Sequence, residues 1–204
     1  MNDPTSTAAR IVLNVGCGDP MNDRLPPVFR TPGWREVRYD IEPAYQPDLI
    51  GSITQIDQIR DACIDAIWSS HNLEHLDSFD VPRALAEFRR ILRPDGFALI
   101  TLPDLRAIAR LVVEDRLTDT LYESSAGPIR PLDILFGHQD SIQRGQPYMA
   151  HRTGFTASSL GAALVEAGFE EVMVHEGSRY DLWALATMPD TPASILNEMA
   201  SVIA

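Results

Sequence analysis

The chain lacks the features that would place it in several large protein classes. Its 204 residues hold two cysteines, Cys17 and Cys63, too few for a disulfide framework. No apolar run reaches the roughly 18 residues that a membrane span needs. The opening residues, MNDPTSTAAR, carry an acid and a proline where a secretory signal would be basic and then apolar. Residues 1–9 therefore read as a frayed end, and the expected location is the cytoplasm. Positive charge is scarce: 17 Lys and Arg stand against 29 Asp and Glu, for a formal charge of -12, with no basic cluster. A nucleic-acid groove needs concentrated positive charge, so the expected partner is a small molecule, not nucleic acid or membrane. No linker, internal repeat or low-complexity segment interrupts the chain, and nothing in it assigns an oligomeric state.

What is present describes an ordinary globular protein. Apolar residues make up 45% and charged residues 23%. The length suits one domain over 1–204, with a sizeable core. IVLNV (11–15), EVRYD (36–40), a short piece of PDLIGSI (47–53) and IDAIWSS (64–70) read as strands, as does FALITLP (97–103). DVPRALAEFRRIL (80–92) has helical apolar spacing, with Asp80 as its expected cap and RPDG (93–96) as its break. DLRAIARLVVEDR (104–116) reads as a helix capped by Asp104. TASSLGAALVEAG (156–168) reads as a helix between Thr156 and Gly168. EEVMVHE (170–176) and DLWALATM (181–188), separated only by GSRY, predict an antiparallel hairpin, and residues 193–204 a terminal helix. Between these lies an irregular stretch, 117–155, with one short helix expected at PLDILFG (131–137). Strands alternating with helices predict an α/β fold with a mostly parallel sheet.

NVGCGDP (14–20) follows the first strand directly. Gly16 and Gly18 allow a sharp turn that brings a ligand close to main-chain N–H groups. Asp40 ends the next strand, where an acid can accept hydrogen bonds from both hydroxyls of an adenosine ribose. A tight turn beside a surface acid would spell the same residues. The dinucleotide pattern G-x-G-x-x-G is not met, because Met21 stands in its third glycine position.

Taken together, residues 10–188 resemble the class I S-adenosylmethionine (SAM)-dependent methyltransferases. VLNVGCGDP is similar to the family's first motif, and VRYDIEP to its ribose-binding strand end. DAIWSSHNLEHLDSFDVPRALAEFRRILRPDGFALITLP resembles the fourth strand, fourth helix and fifth strand of the small-molecule branch, where an LEH segment recurs. The resemblance implies a Rossmann-like, seven-stranded sheet whose last strand inserts antiparallel between the fifth and sixth. It implies SAM as cofactor, with Asn14, Gly16, Cys17, Gly18, Asp40, Ile41, Ser52, Ile53, Ser70 and His71 around it. Pro20 departs from a usual glycine, and Ser52 from an acid. NDRLPPVFRTPGW, with three prolines, is poor helix material, so the first helix is expected to be short or missing.

His71, Glu74 and His75 spell H-x-x-E-H, one of the zinc-protease signatures. In those enzymes the string lies inside a helix; here it begins where a strand ends, and no metal is expected. His71 is expected to face the cofactor cleft, with Glu74 and His75 pinning the turn. Transfer to an oxygen or nitrogen of a small molecule is an in-line displacement that asks for alignment and, for some nucleophiles, a base. His71, His138 and His151 are the candidate bases. For His138 and His151 a loop-anchoring hydrogen bond remains the equal alternative. Tyr148, Arg152 and Phe155 are candidate substrate contacts, with pairing to an acid the alternative for Arg152. The segment 117–155 is the expected acceptor cap. Cys17 is read as a small buried side chain, His175 as structural or exposed, and the tryptophans as packing. Two other functions remain open at this point: a catalytically silent binding protein of the same fold, motivated by Pro20 and Ser52, and an NAD-dependent oxidoreductase, against which the terminal hairpin counts.

Overall fold

Alternation along the strands decides how the sheet is covered. In β1 (Arg10–Val15), Leu13 and Val15 enter one core while Val12 enters another. In β4 (Ile64–Ser70) the same split separates Ile67 from Ala66 and Trp68. In β5 (Leu92–Pro103) it separates Ala98, Ile100 and Leu102 from Phe97 and Leu99. Side chains one residue apart point to opposite faces, so strands apolar at nearly every position must be covered on both sides. A computed structural model describes residues 9–22, 24–124 and 126–203. The frayed end expected at 1–9 lies, apart from Ala9, outside the described residues, as does Ala204.

The remaining strands of the main sheet are β2 (Trp34–Asp40), β3 (Leu49–Ile50), β8 (Val172–Glu176) and β9 (Asp181–Thr187). The seven strands run in the order β3-β2-β1-β4-β5-β9-β8. All pairings are parallel except those of β9, which is antiparallel to both β5 and β8. The last strand in the chain thus inserts between the fifth and sixth strands of the sheet, as the resemblance implies.

α1 (Val81–Ile91) buries Ala84, Leu85, Phe88 and Ile91 on one face of the sheet, beside Leu160 and Leu164 of α5 (Ala157–Glu166). The other face is covered by Leu25, by Phe29 from a 3-10 turn at Pro27–Arg30, and by Ile195 and Met199 of α6 (Ala193–Ile203). Among the described residues between β1 and β2 only 3-10 turns form, at Pro20–Asn22 and Pro27–Arg30, so the first helix is replaced. The prolines account for this, since each removes a donor that a helix interior needs. Trp34 packs edge-on against Phe29 and Phe97, Arg10 lies over its ring, and Trp68 packs on Trp183.

Local signals succeeded unevenly at helix ends. Asp104 accepts from Arg106 N at 2.9 Å and caps α2 (Leu105–Val113). Thr156 and Ser159 exchange reciprocal bonds at the start of α5, and Gly168 follows its end at φ 91°. Asp80 makes no side-chain capping bond; its Oδ1 pairs with Arg83 Nη1 at 3.1 Å, one turn on. β5 begins at Leu92, so RPDG ends α1 but belongs to the strand, with a register shift opposite Ile64 and Ala66. The segment 117–155 holds a small hairpin, β6 (Tyr122–Ser124) and β7 (Gly127–Ile129), which periodicity did not signal. It also holds the expected helix α3 (Pro131–Phe136), a second helix α4 (Gln139–Gln143) and a 3-10 turn at Pro147–Met149. No described helix is long and apolar enough to cross a membrane.

Candidate active site

The order of strands reverses between β1 and β4, and the glycine turn leaves β1 at that crevice. Gly16 and Gly18 both hold positive φ, 63° and 62°, a region that an L side chain enters at a cost. At Gly16 there is a second constraint: an added Cβ would lie 2.7 Å from Asn72 Cγ, so the Asn72 amide closes that side. At Gly18 nothing lies within 4 Å of the Cβ position, and that side of the loop is open. Gly18 is held from both ends. Its N–H donates to Asp40 Oδ2 at 2.8 Å, and its carbonyl accepts from Arg38 Nη2 at 2.6 Å. Asp40, 6% exposed, also accepts from Glu42 N through Oδ1 at 2.9 Å. Each carboxylate oxygen has more than one acceptor site, so both remain able to take a ribose hydroxyl. Asn14 donates to Glu36 Oε1 at 2.7 Å. Burial, the largest cause, pushes the Cys17 thiol up to about 11 despite Arg38 nearby, so it is no thiolate nucleophile.

Across the crevice, β4 ends at Ser70 and the chain turns through His71, whose φ is 49° and whose N–H donates to Thr101 O at 2.8 Å. Leu73–His75 is a 3-10 turn and not part of a long helix. The Glu74 carbonyl accepts from Arg152 N at 2.8 Å and Thr153 N at 3.2 Å, which lays the end of the 117–155 segment across this turn. The Glu74 side chain is 1% exposed. Neither of its oxygens has a directed hydrogen bond, although Oε1 lies 3.3 Å from His71 Nδ1, within ion-pair distance. Burial works against its charge, but His71, His75 and His151 together hold the carboxyl below its ordinary range. His75 Nδ1 contacts Ala150 O at 3.1 Å and His151 Nδ1 contacts Ile134 O at 2.8 Å. The two rings meet edge to face with centroids 4.9 Å apart. Burial, ahead of the neighbouring charges, holds the His151 imidazole below its ordinary range. A pocket of about 20 Å³ opens here between Glu74, His151, Pro103, Leu105, Ile108 and Ile134.

The residues named from sequence divide into groups. Gly16, Gly18, Asp40 and Ile41 meet at the β1 and β2 ends, and Ser70 and His71 face them from β4. Ser52 bonds Thr54 Oγ1 at 2.8 Å within its own turn. Ile53 is 6% exposed and packs in the main core. Phe155 is 6% exposed and joins the core, while its carbonyl accepts from Leu105 N. His138 is buried with Nδ1 2.8 Å from Ser141 Oγ, the anchoring arrangement of its two readings. Arg152 pairs with Asp77 at 3.3 Å, and Tyr148 is exposed. His175 is exposed on β8. Arg38 and Asn72 were not foreseen. Their importance comes from contacts with Gly18 and Gly16 far away in the chain, for which no local pattern exists.

Residues 13–100 match a family model described as "Methyltransferase domain". No curated protein matches the sequence. Among solved structures, the chain is similar to a SAM-dependent methyltransferase from Archaeoglobus fulgidus, at 13% identity and a TM-score of 0.55, over 88% of this chain and 86% of that one. It is similar to a SAM-dependent methyltransferase from Methanosarcina mazei at 12% identity and a TM-score of 0.57, over 88% and 93%. It is also similar to the 1,6-didemethyltoxoflavin-N1-methyltransferase of Burkholderia thailandensis, at 17% identity and a TM-score of 0.52, over 89% and 72%. At such identities the likeness is one of fold; the activity rests on the matched domain, which spans β1 to β5, the glycine turn, the acid at the end of β2 and the His71 crevice. Residues 13–100 thus match a methyltransferase domain, and the chain has the fold of SAM-dependent methyltransferases.

Proposed function

We propose that the enzyme transfers the methyl group of SAM to an oxygen or nitrogen of a small molecule. The observation that carries this reading is the cover over the strand-end crevice: the Glu74 carbonyl accepts from Arg152 N and Thr153 N, which lays the end of the 117–155 segment across the turn beside His71. An acceptor held beneath that cover is shielded from water, as an in-line displacement on a sulfonium requires. The formal charge of -12 disfavours a polyanionic acceptor. The Burkholderia thailandensis enzyme of the same fold was solved with 1,6-didemethyltoxoflavin bound, a precedent for a small heterocyclic acceptor.

The residues fit the cofactor. The glycine turn is open at Gly18, where nothing lies within 4 Å of the Cβ position. Asp40 accepts the ribose hydroxyls, Ile41, 52% exposed beside it, covers the adenine, and Ser52 lies at the next strand end. The buried, unpartnered Nδ2 of Asn72 is a donor that lies against Gly16. SAM supplies an electrophilic methyl group. His71, braced by Glu74, is the side chain assigned to take the acceptor proton; Tyr148 and Arg152 sit at the rim.

The test is labelled methyl transfer from SAM to three separate pools: a small-metabolite extract, total RNA and denatured protein. Label confined to the metabolite pool supports the reading. Label in RNA or protein overturns it.

A further inference from the structure

The Glu74 carboxylate is buried at 1% exposure with no directed hydrogen bond to either oxygen. A buried ionised group needs a compensating charge. Two histidines stand beside it in a specific orientation. The Nδ1 atoms of His75 and His151 each face a main-chain carbonyl, Ala150 O and Ile134 O. A carbonyl only accepts, so each Nδ1 carries the hydrogen, and in the neutral ring Nε2 is left with a lone pair. Metal-bound histidines are held in this way, with the distal N–H given to a carbonyl that fixes the tautomer and the ring. One nitrogen from each ring and one carboxylate oxygen of Glu74 lie within 4.8 Å of one another. Zinc holds tetrahedral nitrogen and oxygen ligands roughly 3.4 Å apart, so closing on an ion moves each ligand atom by less than about 1 Å.

We propose that Glu74, His75 and His151 bind one divalent transition-metal ion of the zinc type. Two imidazoles and one carboxylate suit zinc, cobalt or iron, and do not suit magnesium or calcium, which take oxygen ligands. The H-x-x-E-H string contributes its last two residues, and the third ligand comes from the end of the 117–155 segment. His71, 3.3 Å from Glu74 Oε1, orients the carboxylate from outside. Glu74 and His151 both line the pocket of about 20 Å³, which has room for one water or one ligand atom. Three protein ligands with an open fourth position is the arrangement of a catalytic zinc, not of a structural one. The fourth position would take an oxygen or nitrogen of the acceptor; that role rests on the proposed methyl transfer, whereas the ion site itself does not.

The test uses the full-length, untagged chain, stripped with a chelator and titrated with Co²⁺, then with Zn²⁺. The expected result is one Co²⁺ per chain, visible through its ligand-field absorption and displaced by one Zn²⁺. His75→Gln, His151→Gln and Glu74→Gln should each weaken Co²⁺ binding by more than about tenfold. His175→Gln, on the exposed edge of β8, should not. Failure of the stripped wild type to take up Co²⁺ saturably, or equal uptake by the three site variants, overturns the proposal. If a site variant does not fold, X-ray absorption of the zinc-loaded wild type decides: two imidazoles on the ion support the site, one or none overturn it. Titration of S-adenosylhomocysteine into the stripped protein separates the two readings, because cofactor binding without metal uptake sinks only the ion site.

Discussion

The main-chain N–H of Gly18 donates to Asp40 Oδ2 at 2.8 Å, joining the glycine turn to the end of the neighbouring strand. One carboxylate therefore shapes the loop, and in the proposed site it also takes the ribose. Asp40→Asn keeps the volume but replaces one acceptor oxygen with a donor. Hydrogen bonds to charged groups contribute about 1.5–3 kcal/mol, so S-adenosylhomocysteine should bind at least about tenfold more weakly by calorimetry. Unchanged affinity would show that the ribose is held elsewhere.

The two glycines should respond differently to alanine. Gly16→Ala meets both a positive φ of 63° and the Asn72 amide at 2.7 Å. Gly18→Ala meets only the φ of 62°, with open space around the new methyl. Left-handed backbone costs an L residue about 1–2 kcal/mol, so Gly18→Ala should lose about that in urea unfolding and Gly16→Ala more. Equal losses would mean that Asn72 moves aside freely. Gly18→Ala should still weaken S-adenosylhomocysteine binding, since its methyl enters the open side of the loop.

Phe155 should behave as a core residue. Removing a buried phenyl ring costs about 3–5 kcal/mol, so Phe155→Ala should lower the unfolding free energy by roughly that amount. A substrate-contacting ring would instead leave stability nearly intact and raise the acceptor KM.

Acid should weaken the fold through Glu87. Its carboxyl is held below the ordinary range first by the hydrogen bond from Arg90, against the effect of burial, with help from Ile56 N at 2.7 Å. A carboxyl lowered in the folded state contributes stability that is present above its unfolded pKa and is lost as pH falls through the folded value. The contribution is thus present at neutral pH and fades below the unfolded value of roughly 4.3. Glu87→Gln should be less stable at pH 7 by about 1–2 kcal/mol and show a shallower decline on acidification. Parallel pH curves for the two proteins would assign the acid sensitivity to other groups, such as Asp133 bonded to Arg130 at 2.7 Å.

The elements of the sheet and its large helices are legible in the sequence because their signals are local. The apolar run of β4, the helical spacing of α1, the GSRY turn between β8 and β9 and the Thr156 cap all lie within about ten residues of the structure they specify. The glycine turn and Asp40 are legible for a related reason, since strand ends in this topology converge on one edge. Asp80 illustrates the limit: it looks like a cap, but Arg83 competes for its carboxylate. Tertiary structure alone decided the crevice itself. The Asn72 amide against Gly16 and Arg38 against the Gly18 carbonyl join distant parts of the chain. Glu74, His75 and His151 come together because Arg152 and Thr153 bond back to the Glu74 carbonyl. Such meetings depend on register, crossover and loop closure over tens of residues, and no window of sequence contains both partners.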